Sequence, residues 1–343
     1  MKILSNKPTI TRKELEGVLD CLINDELTSG SSVKTFEASL ASVTGQKFCL
    51  AVNSLTAAYH LAFKALSLGV GDEVILPAYS SPAPLSALMM TGATPVLADC
   101  AEGSVMPSAD MLKSLVTSNT KAVVVCHTFG FPAPAEELSC LPVPVIEDVS
   151  HALGTSSDGV PAGATAAYVV ASFAPEMIIT TGSGGAVLTS NSKAFSVMRE
   201  FRSGDNTINL DYAMNDLEGA MGNSQMLRLK SFIKRRGEIA GKFCDAVKLT
   251  SHKMPYPYSP DFGWQTFPVI FNAPDETVRR YWKKSGVEAI NPIPKPLYEY
   301  LGGKGAEFPN AARLAKKLYT VPLYPTLTQK EIEQIARLLA CFM

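Results

Sequence analysis

The chain has 343 residues, with 46% hydrophobic and 18% charged, and 31 basic residues against 32 acidic ones give a formal net charge of -1. That balance excludes a disordered chain and offers no basic surplus for a nucleic-acid partner. No apolar run approaches the roughly 18 residues of a membrane span, so no membrane partner is expected.

The seven cysteines form no CxxC pair, and several sit in apolar runs, which fits reduced, core-filling thiols. The opening Met1–Lys7 is too poor in apolar residues for a signal peptide, so a cytoplasmic location is expected. The length allows two to three domains, or one large α/β domain with a small one. Lys230, Lys234, Arg235 and Arg236 cluster with apolar residues at helical spacing, which reads as the solvated side of a helix.

In chain order, residues 47–52 form an apolar strand, and a helix follows from Ser54 to Leu66 with Ser54 as N-cap. Residues 73–76 form the next strand, ended by Pro77, and a helix then carries Leu85, Leu88 and Met89. Further strands are expected over 94–99, 121–126, 143–148, 167–173 and 185–189, with Pro144 weakening the start of the fourth-from-last's successor at 143. Continuous apolar strands separated by helices mean a mostly parallel sheet covered on both faces. In such a sheet the ligand sits at the carboxyl ends of the strands, which singles out Asn53–Thr56, Pro77–Pro82, His127, Asp148 and Ser172. Beyond 191 the pattern changes. Met214 to Val247 reads as one long helical stretch, prolines interrupt the tail, and a closing helix runs from Gln329 to Phe342. The expected division is a large domain over 1–225 and a linking helix with a small C-terminal α/β domain over 226–343.

The stretch Ser172-Phe173-Ala174-Pro175-Glu176-Met177, continuing to Gly182-Ser183-Gly184-Gly185, resembles the signature of the DegT/StrS-type nucleotide-sugar aminotransferases. Ala51 to Ala62, Gly71 to Pro77, Gly92 to Val96, Glu147 to Gly154, Tyr212 to Gln225 and Pro322 to Pro325 extend the likeness over nearly the whole chain. The resemblance implies a fold-type-I pyridoxal phosphate (PLP) transferase, a homodimer with active sites at the subunit interface, and a nucleotide-sugar ligand. In that family the serine matching Ser172 contacts the cofactor phosphate, and a lysine five residues later forms the Schiff base. Here that position is Met177, and the glutamate of the Gly-Glu-Gly-Gly turn is Ser183.

The resemblance gives other positions two readings each. Asp148 would face the cofactor nitrogen, where a carboxylate keeps the pyridinium protonated; its plain alternative is a helix N-cap. His151 lies one turn on, near the ring oxygen, or is an interior histidine held by hydrogen bonds. Ser54 and Thr56 would donate to the phosphate at a helix N-terminus, but Leu55 stands where the family has glycine, and a branched side chain there disfavours positive φ. The family's stacking ring is replaced by Ser81, with Tyr79 close in sequence. The partner-facing segment is Asp211-Tyr212-Ala213, whose aspartate would repel a phosphate. His127 is either an acid–base group or a strand-end histidine bonded to backbone. Four histidines and seven cysteines show no metal-ligand spacing, and no GxGxxG, P-loop or GxSxG motif is present.

Methionine has neither a nucleophilic amine nor a titratable proton, so the lysine's two jobs go unfilled at 177. An isolated engineered change there would leave the rest of the site intact, whereas Leu55, Ser81, Ser183, Asp211 and Ala213 depart as well. The expectation is therefore no PLP, or PLP bound weakly and without a covalent bond. Three functions stay open. One is a non-transaminating homologue or a partner subunit of an active paralogue. Another is a PLP-independent enzyme in the old pocket, with Asp148, His151 or His127 as acid–base groups. The third is a noncovalent PLP or PMP binder acting as an aminotransferase or dehydratase.

Overall fold

The computed structural model describes residues 2–204 and 209–342. Its centre is a seven-stranded sheet in the order β1 (Phe48–Val52), β9 (Gly185–Thr189), β8 (Tyr168–Ser172), β5 (Val145–Asp148), β4 (Thr120–Cys126), β2 (Glu73–Pro77) and β3 (Thr94–Ala98). All neighbouring pairs are parallel except those of β9, which runs antiparallel to both β1 and β8. Two short strands, β6 (Ser156–Ser157) and β7 (Val160–Pro161), form a hairpin beside the sheet.

The strands match the sequence reading to within a residue or two, because unbroken apolar runs leave both faces buried. β8 and β9 are buried at every position. Pro144 does shorten β5, which starts at Val145, although the Pro144 carbonyl still accepts a bond from Val123 N–H at 3.0 Å. Gly185 opens β9 where only glycine fits. A Cβ there would lie 2.7 Å from the Ser54 carbonyl oxygen and 2.9 Å from that of Ala171. This close approach holds the turn before β9 against the loop that starts the helix Leu55–Ala65.

The expected single helix from Met214 to Val247 is two helices, Asp216–Met226 and Leu229–Val247. The first starts at a capping box in which Asn215 and Glu218 bond each other's backbone. Leu227 and Arg228 form a turn between them, and the Arg228 guanidinium bonds Thr9 O and Glu14. No glycine or proline marks the break, and apolar spacing runs through it, so periodicity alone could not reveal it. Arg236 also departs from the solvated-face reading. It is 2% exposed, and one of its terminal nitrogens donates to the carbonyls of Trp264, Gln265 and Leu323. Burial lowers its pKa to about 10, so it stays charged while tying the long helix to the C-terminal segment.

The C-terminal part carries the antiparallel pair β10 (Phe267–Ile270) and β11 (Leu318–Val321). The helices Asp275–Ser285, Pro309–Lys317 and Gln329–Cys341 accompany it, the last starting at a Thr328–Glu331 capping box. The N-terminus returns to this part: Ile3 bridges in parallel to Val287. Residues Ser5 and Asn6 are thereby brought to the carboxyl ends of the central strands, where a cavity opens.

Candidate active site

The cavity has a volume of about 460 Å³, within the range of small-molecule sites. Its wall takes Cys126, His127 and Asp148 from the ends of β4 and β5, Ser172 from the end of β8, and Glu176 and Met177 from the following turn. Leu55 comes from the first turn of the helix after β1, Ser80 and Ser81 from the loop after β2, and Gln265, Ile290 and Thr320 from the C-terminal part. The carboxyl ends of the strands therefore frame the cavity, as the parallel-sheet rule requires.

Asp148 is the buried charge of this wall, at 7% exposure. Tyr59 O–H donates to its Oδ2 at 2.8 Å, and Ser150 N–H donates to its Oδ1 at 2.9 Å. The second bond is cap-like, but a turn follows rather than a helix, so the N-cap alternative is realised only as a local turn. Tyr59 is fully buried, and burial together with the Asp148 carboxylate pushes its phenol pKa well up. It is therefore a fixed donor. Cys126 lies 3.8 Å from Tyr59 Oη and 3.5 Å from Ser80 Oγ. Burial pushes its thiol up to about 12, which excludes a thiolate nucleophile at neutral pH.

His151 is half-buried and lines the cavity. Phe129 N–H donates to its Nδ1 at 3.0 Å, so the neutral ring carries its proton on Nε2. Burial lowers its pKa, with the Asp148 carboxylate opposing, which favours that neutral form. Phe129 lies nearly parallel to the imidazole (10° between planes, centroids 6.2 Å apart) and has a positive φ of 62°. A bulky residue in the left-handed region is strained. Bonds from Gln265 N–H and the Tyr256 hydroxyl to the Phe129 carbonyl hold it there.

His127 lines the cavity too, but both ring nitrogens are taken. Ala133 N–H donates to Nδ1 at 2.9 Å, and Nε2 donates to Glu147 Oε2 at 2.8 Å. The acid–base reading of His127 is corrected: it is a buried structural histidine, bonded to backbone and to Glu147. Ser54 and Thr56 are not on the cavity wall, although Leu55 between them is. The Ser54 hydroxyl accepts from Ala57 N–H at 3.1 Å as the N-cap of Leu55–Ala65. Leu55 is the first residue of that helix and has no positive φ, so the expected backbone conflict does not arise; its side chain instead contributes apolar wall. Ser81 and Ser172 line the cavity as expected. Tyr79 does not, because its side chain is fully buried in the core. Asp211 is exposed, has a φ of 49°, and lies outside its own chain's cavity wall.

Tyr59, Phe129, Ser150 and Gln265 were missed by the sequence reading. Tyr59 had a signal: it lies four residues after Leu55 on a helix that starts at the site, and so shares its face. Phe129 followed by Gly130 after a strand end hinted at a tight turn. Gln265 comes from a distant segment and left none.

Among the described residues no cluster of histidine, cysteine and carboxylate side chains suits a metal ion, and no helix is long and apolar enough to cross a membrane. The chain is 29% identical to the spore coat polysaccharide biosynthesis protein SpsC of Bacillus subtilis, over 96% of this chain and 94% of SpsC. Its fold matches the "putative sugar aminotransferase Spr1654" of Streptococcus pneumoniae in its PMP form (TM-score 0.90, 23% identity, 99% of this chain and 97% of that one). It also matches Helicobacter pylori PseC, an aminotransferase involved in pseudoaminic acid biosynthesis (TM-score 0.90, 23% identity, 99% and 98%). The DegT/DnrJ/EryC1/StrS aminotransferase family description fits residues 8–340, and with the fold-type-I sheet beneath it the chain belongs to that family.

Proposed function

We propose that this chain is a non-transaminating member of its family, a cytoplasmic protein that keeps an open ligand pocket in nucleotide-sugar or polysaccharide biosynthesis. The observation that carries the reading is the makeup of the cavity wall. Among the described residues it contains Met177 and no lysine or arginine. Covalent PLP needs an amine within reach, and a phosphate dianion needs donors or cations. The amine is missing, Ser81 offers no ring to stack on, and Leu55 puts an apolar side chain on the wall at the start of its helix. Asp148 would still suit a pyridinium, and Ser172 and His151 remain on the wall, but these contacts supply neither the amine nor a cation for the phosphate, and no chemical step is assigned to the cofactor. The names of SpsC and PseC support the biosynthetic setting. A homodimer, or a pairing with an active paralogue through the Asp211 face, completes the proposal.

A second reading, a cofactor-independent enzyme, rests on the neutral His151 beside Asp148. It needs a substrate whose proton lies within reach of that pair.

Intact mass spectrometry separates these readings from ordinary transamination. The natural chain and Met177→Lys are each incubated with excess PLP, reduced with borohydride, desalted and weighed. The natural chain is expected to gain no mass at the site, and to consume no amino donor with a keto sugar. A site-specific adduct or amino-donor consumption in the natural chain would overturn the proposal.

A further inference from the structure

The cavity is anionic. Its ionisable wall residues are Asp148 and Glu176, the histidines His127 and His151, and the buried thiol of Cys126. His127 has both nitrogens committed inside the protein, and burial favours neutral His151. Asp148 is the deeper acid, more than nine-tenths buried, and makes no ion pair among the described residues. Its two protein donors, Tyr59 O–H and Ser150 N–H, take one bond on each oxygen. An ionised carboxylate offers about four acceptor sites, so about two remain. Buried charges are ordinarily matched by an opposite charge or further hydrogen bonds. A phosphorylated ligand would instead add negative charge to a wall that already holds two acids.

From this we propose that the cavity takes a small hydroxylated ligand bearing a protonated amine, seated with its ammonium on Asp148. The inference rests on the non-transaminating reading, since it places a ligand where a relative would hold a cofactor. The ammonium supplies N–H donors to the free lone pairs of both Asp148 oxygens. Neutral His151 offers an Nε2–H donor, and the hydroxyls of Ser80, Ser81, Ser172 and Thr320 can bond a polyol from several sides. Ligand class thus follows from charge: amine preferred, neutral polyol weaker, phosphate rejected.

Titration calorimetry on the cofactor-free full chain tests this. The probes are D-glucosamine, at a pH where its amine is protonated, N-acetyl-D-glucosamine as the neutral counterpart, and inorganic phosphate. Glucosamine is expected to bind about tenfold or more tighter than its acetylated form, as a charge-assisted bond requires, and phosphate is expected not to compete. Asp148→Asn should erase the preference. Should that variant fold poorly, competition by methylammonium against glucosamine on the natural chain reads the same ammonium subsite. Equal binding of the two sugars, no binding of glucosamine, competition by phosphate, or a preference that survives in folded Asp148→Asn would overturn the inference. A PLP adduct seen by mass would instead strike the proposed function. The two failures are read by different measurements.

Discussion

Glu147 and Asp148 are adjacent on β5, both almost fully buried, and they belong to different parts of the molecule. Successive side chains on a strand point to opposite faces. Glu147 turns into the protein, where Oε2 accepts from His127 Nε2 and from Gly163 N–H, each at 2.8 Å. Asp148 turns to the cavity and receives only Tyr59 O–H and Ser150 N–H. The same chemical group is thus a staple in one position and a waiting acceptor in the next. Burial alone does not distinguish them; what does is whether the partners that meet the charge come from the protein or must come from outside.

The sharpest way to break this contrast is Glu147→Ala. It leaves the His127 N–H and the Gly163 N–H buried without an acceptor. The expected loss is about 3 kcal/mol, since two buried donors lose their partner, measured by chemical denaturation. A loss below about 1 kcal/mol would mean water reaches the pair, and the division between the two carboxylates would fall.

Tyr59→Phe acts on the cavity side. It removes one charge-assisted bond to Asp148 and leaves the isosteric ring in the core. The cost should be about 1.5 kcal/mol, near the low end for a bond to a charged group, because Asp148 can recruit water from the cavity. A cost equal to that of Glu147→Ala would make Asp148 a structural staple as well.

The Asp148 side of the contrast was legible in the sequence. The run from Val143 to Asp148 placed Asp148 at the carboxyl end of a buried strand, and the parallel-sheet rule made that end a ligand site. Strand positions were readable because each is a short apolar run closed by a polar or breaking residue. The partners were not. His127 lies twenty residues from Glu147, and its commitment to Ala133 N–H depends on the loop after β4 folding back, which no local pattern encodes. Leu55 was legible as a change of residue type but not as a first helical residue, so a backbone conflict was expected where there is only a side chain on the wall. The break at Arg228 was hidden because its cause is tertiary, a guanidinium drawn to Glu14 and Thr9 O on the N-terminal segment.

Asp148→Asn sharpens the contrast from the functional side. The amide oxygen can still accept from Ser150 N–H while its NH2 donates to the Tyr59 phenol oxygen, which can accept as well as donate, so the stability change should stay within about 1 kcal/mol, while the cavity loses its charge. Denaturation and amine binding, measured on the same preparation, should therefore separate: nearly normal stability, and no preference for the ammonium. Parallel loss of both would return Asp148 to the structural class.

The smallest expected effect is in the pH dependence of stability, and it tests whether Asp148 acts on His151. Burial lowers the His151 pKa in the folded chain, with Asp148 pulling the other way. The unfolded chain, with an ordinary value of about 6.5, therefore takes up the proton first as pH falls. The folded state binds fewer protons in that window, so the stability contribution is present above about 6.5 and is lost as pH drops towards the lower folded value. Burial lowers His60 and His252 as well, with the same sign. The difference between the natural chain and His151→Gln, whose amide oxygen can still accept from Phe129 N–H, isolates the His151 share. In Asp148→Asn the opposing attraction is gone, the folded His151 value falls further, and the acid-side loss should steepen. An unchanged slope would mean the two groups are screened from each other by solvent, and that the ammonium subsite and the imidazole donor work as separate contacts.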